Sequence, residues 1–161
     1  AARVGPDFAW WDRSQSRTPM PWTDEPGAGF TSGTPWLRLG ADVGRRNVAA
    51  QLADPSSVLA CYRRVIAARR SLPALQDGRL SLVRTTPPDV LAYRRRGDGG
   101  EALVVIAFGS SAVEIDLPRP ASGGRWMALV GTDVEPAAPT ADGRRLRLRG
   151  REGVVLVPAR R

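Results

Sequence analysis

Apolar and polar positions divide the chain into three textures. Over residues 1–53 neither helical spacing nor strict alternation appears, and Gly, Pro, Trp and Asp dominate. Pro19, Pro21, Pro26 and Pro35 prevent a continuous helix there and discourage a central strand. So long an irregular stretch marks a functional loop or a missing context. Trp10, Trp11, Trp22, Phe30 and Trp36 make it too apolar for a disordered linker. This segment is therefore expected to pack against something large that lies outside the chain.

Residues 54–72 carry the clearest helical period. Val58, Leu59, Tyr62, Val65 and Ile66 give one apolar stripe at spacings of three and four. Asp54 suits an N-cap and Pro55 the first helical position. Arg69 and Arg70 fall in the last turn, where the helix dipole favours positive charge. Leu72-Pro73 then stops the helix, because a residue before proline avoids helical backbone.

From about residue 79 the period changes to two. Strands are expected near Leu80–Arg84, Val90–Arg95, Ala102–Phe108, Val113–Leu117, Arg125–Val130, Leu146–Arg149 and Val154–Val157. Between them stand turn signals such as Pro87-Pro88-Asp89, Gly97-Asp98-Gly99-Gly100 and Asp142-Gly143. Arg94–Arg96, the Gly97–Gly100 loop and Glu101 form the best hairpin candidate. Short strands with frequent turns and no intervening helix predict an antiparallel sandwich or barrel.

Composition changes this picture in three places. The formal net charge of +8 invites a nucleic-acid reading, yet all 24 basic residues are Arg and none is Lys. An Arg-only set beside abundant Ala and Gly fits a GC-rich coding preference. The arginines are also scattered, and those from Arg144 to Arg151 alternate with Leu146 and Leu148 as on a solvated strand face. No nucleic-acid partner is expected. Cys61 is the single cysteine, so no internal disulfide is possible, and its expected role is a small buried hydrophobe. The absence of His removes imidazole bases and His-based zinc sites from the chain's chemistry. No metal or cofactor is expected.

The longest apolar run, Leu103–Phe108, has strand length, so no membrane span is expected. The first residues, Ala-Ala-Arg-Val-Gly-Pro-Asp, show neither an initiator Met nor a signal pattern. They read as those of a fragment or a truncated reading frame, and the missing signal as a cytoplasmic protein.

The stretch Ser16-Arg17-Thr18-Pro19-Met20-Pro21-Trp22 resembles a motif of glycoside hydrolase family 13, in its α-glucosidase, oligo-1,6-glucosidase and trehalose synthase branch. The likeness continues through Ala28–Thr31, Gly33–Leu37, Asn47-Val48, Ala50-Gln51, Asp54–Leu59, Tyr62-Arg63, Ile66, Leu72–Leu75 and Asp89–Tyr93. In that family a (β/α)8 barrel precedes an all-β C-terminal domain. The resemblance implies that residues 1–53 are the loop after the last barrel strand, 54–76 the last barrel helix and linker, and 77–161 an antiparallel β-sandwich. Active sites of such barrels lie on the loops that follow the strands.

The family's retaining chemistry needs a carboxylate nucleophile and a carboxylic acid. By resemblance these precede this chain, whose own activity alone is expected to be nil. Asp7, Asp12, Asp24, Glu25 and Asp42 are read as turn, cap or solvent-facing residues. Arg17 is the substrate-binding candidate: a guanidinium on an active-site loop bonds sugar hydroxyls or orients a carboxylate, or else ties the loop to the barrel. Trp22, Phe30 and Trp36 are read chiefly as packing residues. Ser14 stands where relatives commonly have Asp, which leaves the substrate open. The implied substrates are α-linked short oligosaccharides. The alternative is a non-catalytic sugar-binding or interaction β-domain.

Overall fold

The computed structural model describes residues 17–159, so Asp7, Trp10, Trp11, Asp12 and Ser14 lie outside the described residues. The chain divides into two compact units, Ala1–Leu59 and Ala60–Arg161.

Within the first unit the backbone is mostly irregular, as the prolines require, but not throughout. A tight helical turn at Pro26–Gly29 and a short helix α1, Val48–Ala53, interrupt it. The side chain of Asn47 starts α1 by accepting from the N–H of Ala50 at 2.8 Å. Helix α2 covers Val58–Ser71, so the expected start at Asp54 is corrected. The Asp54 carboxylate instead accepts from the backbone N–H and hydroxyl of Ser56, at 2.8 and 2.6 Å. That local Asx-type turn competes with helix, and α2 begins only after it.

Helix α2 stops at Ser71 before Leu72-Pro73, as expected, and a one-turn helix α3, Pro73–Gln76, follows. The stripe Val58, Tyr62, Val65 and Ile66 stands exposed, while Ala68 is the buried residue of α2. Cys61 is half-buried rather than buried.

Seven antiparallel strands follow: β1 Arg79–Val83, β2 Val90–Gly97, β3 Gly100–Ala107, β4 Val113–Asp116, β5 Trp126–Gly131, β6 Arg145–Leu148 and β7 Gly153–Pro158. Each coincides with an expected strand to within two residues. They form a five-stranded sheet, β1-β2-β3-β7-β5, and a two-stranded sheet, β4-β6. The β2–β3 hairpin closes through Asp98-Gly99, with Gly97 opposite Gly100. Gly100 takes φ of +115°, open to glycine and strained for other residues.

Alternation sets the core. Val90 and Ala92 of β2, Leu103 and Val105 of β3, and Val154 and Leu156 of β7 point to one face. There they meet Ile115 of β4, Leu146 and Leu148 of β6, and the indole of Trp126. In β6 the Arg residues face solvent and the Leu residues are buried, as the alternation predicts. The other face of the large sheet carries Tyr93, Ala102, Val104 and Val155, packed with Leu72 and Leu75. Among the described residues no helix is long and apolar enough to cross a membrane.

Candidate functional site

The loop that carries Arg17 is held by backbone hydrogen bonds rather than by a core. The carbonyls of Pro21 and Trp22 accept from the N–H groups of Val48 and Ala49, both at 3.0 Å. Those are first-turn donors of α1, which the helix itself leaves without partners. The carbonyl of Ala28 accepts from both Trp22 and Thr23, at 2.8 and 3.2 Å, and closes the segment into a knot. Gly27, Ala28 and Gly29 have φ of +75°, +58° and +64° in succession. Ala28 is fully buried at the centre of this turn despite a backbone conformation that disfavours any side chain. A Cβ on Gly29 would sit 3.2 Å from Cβ of Trp22, so the knot admits little else at that position.

Asn47 is the second anchor. It is buried, caps α1 through its oxygen, and donates from Nδ2 to the carbonyl of Val43 at 2.8 Å. Gln51 continues the scaffold: its carbonyl accepts from the hydroxyl of Ser57 at 2.6 Å and its Oε1 from the N–H of Leu59 at 3.1 Å. In the sequence, Asn47 and Gln51 stand out only as residues that fit the family resemblance. An Asn just before a short Ala-rich run was the signal that could have found the cap.

Upon this scaffold Arg17, Met20, Trp22 and Phe30 are exposed, and Trp36 is 89% exposed. The expectation that Trp22, Phe30 and Trp36 pack is not met within the described residues. The described acids of the segment are not joined by shared partners. Asp24 and Glu25 face solvent, Asp42 pairs with Arg46 at 3.2 Å, and Asp54 is held by Ser56. The Ser56 hydroxyl and N–H hold the Asp54 carboxyl below its usual range. Among the described residues no group of three or more His, Cys, Asp and Glu could hold a metal ion.

The buried carboxylates lie in the second unit and serve its architecture. Glu152 accepts from the N–H groups of Ala137 and Arg149 at 2.9 and 2.7 Å, and from the Arg149 guanidinium at 3.1 and 3.2 Å. Burial alone would raise its pKa; the hydrogen bonds from Arg149 and Ala137 outweigh burial and hold it below the usual carboxylate range. Arg149 also reaches Asp133 at 3.1 Å and the carbonyl of Glu135 at 2.6 Å. It is thus a clamp, although its side chain is exposed. Glu101 pairs with Arg94 at 3.1 Å and accepts from the N–H of Ala121 at 2.7 Å, fixing the loop after β4 to the β2–β3 hairpin.

Comparison with known proteins places this loop in context. Residues 5–78 match the family described as "Alpha amylase, catalytic domain". An oligo-1,6-glucosidase of Heyndrickxia coagulans is 34% identical over 128 residues, which are 80% of this chain and 22% of that enzyme. A trehalose-6-phosphate hydrolase of Escherichia coli K12 is 39% identical over 129 residues, 79% of this chain and 22% of the relative. The trehalulose synthase MutB of Pseudomonas mesoacidophila MX-45 superposes with a TM-score of 0.77 at 33% identity, over 90% of this chain and 26% of that one. The chain thus spans about a fifth to a quarter of the length of these relatives.

Proposed function

From the premise that this chain belongs to the α-amylase family of glycoside hydrolases, we propose that it is the C-terminal part of an enzyme cleaving or transferring α-glucosidic bonds of short oligosaccharides. The carboxylates of its retaining mechanism belong to a preceding (β/α)8 barrel. Residues 1–53 are the loop after the last barrel strand, 54–76 the last barrel helix and linker, and 77–161 a β-sandwich. The observation that carries this reading is the apolar side of α2. Val58 and Tyr62 are 68% and 65% exposed, beside exposed Val65 and Ile66, on a helix whose period calls for burial. A barrel wall is the surface such a helix covers.

Arg17 is then a rim residue on a loop preshaped by Ala28 and Asn47, and it binds sugar hydroxyls or orients a carboxylate. Related proteins support the substrate class: a mutant of MutB has been seen with its substrate sucrose, and another with glucose. A retaining pair stands roughly 5–5.5 Å apart across its substrate; among the described residues, Asp133 and Glu152 come together on the Arg149 guanidinium, as its ion-pair partners. In this reading the chain alone is without turnover.

The test begins with the reading frame upstream of Ala1. An open frame with Asp and Glu at the ends of successive strands gives a longer enzyme that turns over maltose or isomaltose. In that enzyme Arg17→Ala lowers kcat/KM by about 10- to 100-fold, as loss of a charged hydrogen bond does. Turnover by the 161-residue chain itself, traced to it by mutation, would overturn the assignment. Saturable binding of maltose to the chain, followed by Trp fluorescence, would instead favour a free-standing sugar-binding module.

A further inference from the structure

The face of the large sheet that forms the core changes character at its hairpin end. Val83, Ala92 and Val90 pack inward, but further along the same face come Ser81 and Arg79 of β1 and Arg94 and Arg96 of β2. Ser81 stands opposite Arg94, and Arg79 directly opposite Arg96. Like charges facing each other across an antiparallel pair destabilise it. Here the arrangement borders an open cleft of about 640 Å³ lined by Arg79, Ser81, Arg94, Arg96 and Asp98.

The charges of this cleft do not cancel. Arg94 is matched by Glu101 and is fixed in place: its Nη2 donates to the carbonyl of Arg119 at 3.0 Å and its guanidinium lies 5.9 Å from the centre of the Trp126 ring. Arg79 and Arg96 are exposed, and neither side chain forms an ion pair or hydrogen bond among the described residues. Asp98, in the hairpin turn, is the lining carboxylate that offsets one of them. One guanidinium remains uncompensated, with both forks and the Ser81 hydroxyl available as donors.

We propose that this cleft binds a compact oxyanion of the phosphate class, as free phosphate or as a phosphate monoester. Guanidinium forks match the oxygens of such an anion in pairs, and a doubly charged anion between Arg79 and Arg96 turns their repulsion into attraction. Arg94, already immobilised, forms a prepared wall.

The experiment is calorimetric titration of the whole chain with inorganic phosphate and, separately, with glucose 6-phosphate, against chloride at matched ionic strength. Saturable binding of either anion is expected, and the tighter of the two identifies the natural form. Arg79→Gln and Arg96→Gln each weaken it by about tenfold or more, while Arg84→Gln, outside the cleft, leaves it unchanged. Asp98→Asn tightens it, a change of opposite sign that damage to the fold does not produce. Arg79 and Arg96 are exposed, so thermal melting in chloride should show both variants folded. No binding, equal weakening by Arg84→Gln, or displacement of phosphate by a far lower concentration of single-stranded oligonucleotide would overturn the proposal.

Discussion

The two units are held together in different ways. In the second, Leu103, Leu146, Leu148, Leu156, Val105 and Val154 are sealed from solvent, and the sheets share that apolar centre. In the first, the buried residues among those described are Pro19, Ala28, Asn47 and Ser57, two of them polar, while Met20, Trp22, Phe30, Trp36 and Leu52 stand at the surface. The β unit carries its reason to fold in its own side chains. The loop unit carries a shape, defined by caps and shared carbonyls, but little apolar burial to stabilise it. Hydrogen bonds contribute only about 1 kcal/mol each in net terms, whereas a buried leucine contributes about 2–5 kcal/mol when judged by truncation. Shape without a core suits a rim that a larger neighbour completes.

The sharpest way to break the contrast is at Leu146. It is fully buried and meets the core from the smaller sheet, so Leu146→Ala should destabilise the β unit by about 2–5 kcal/mol in urea unfolding. An effect below about 1 kcal/mol would mean that the two sheets do not share a core. Next in size is Glu152. Glu152→Ala strands the N–H groups of Ala137 and Arg149 and releases the Arg149 clamp, at a cost of about 1–3 kcal/mol. The pH dependence has a fixed sign. The folded pKa of Glu152 lies below its unfolded value, so its stabilisation is present above the ordinary carboxylate pKa and is lost as pH falls through the folded value. Glu152→Gln should flatten that acid limb in melts taken from neutral pH downward.

How much of this was legible follows the same division. All seven strands could be read because alternation is a local signal, and β6 shows it cleanly with Arg outside and Leu inside. The stop of α2 was legible from Leu72-Pro73, since proline acts on its immediate neighbour. Its start was not: Asp54 serves both as a helix cap and as an Asx turn, and only the hydroxyl of Ser56 decides between them. The roles of Asn47 and Ala28 escaped for a different reason. Ala28 meets the N–H groups of Trp22 and Thr23, and the Nδ2 of Asn47 meets the carbonyl of Val43; backbone groups leave no trace in a sequence. The clamp of Arg149 on Glu152 was hidden by the even scatter of arginines, where charge alone does not distinguish a solvated residue from a paired one.

Asn47→Ala should act locally. Losing the cap costs about 1 kcal/mol of helix stability, and α1 in turn presents the N–H groups that hold Pro21 and Trp22. Hydrogen exchange should therefore quicken at Val48, Ala49 and Ala50, while the β strands keep their protection. Uniform loss of protection would show that the two units unfold together.

The smallest effect is expected at Trp36, and it bears most directly on the contrast. A tryptophan with 89% of its surface in water makes too few contacts to stabilise the unit that carries it. Trp36→Ala should shift the stability of the isolated chain by less than about 0.5 kcal/mol, the range of ordinary surface changes. In a longer enzyme of the kind proposed, the same substitution has a different expected outcome. If a barrel covers this loop, the indole is buried there, and its truncation should cost about 3–5 kcal/mol or perturb turnover. Equal, small effects in both settings would leave Trp36 in water in the whole enzyme, and the loop unit would then owe its surface aromatics to something other than a covering barrel.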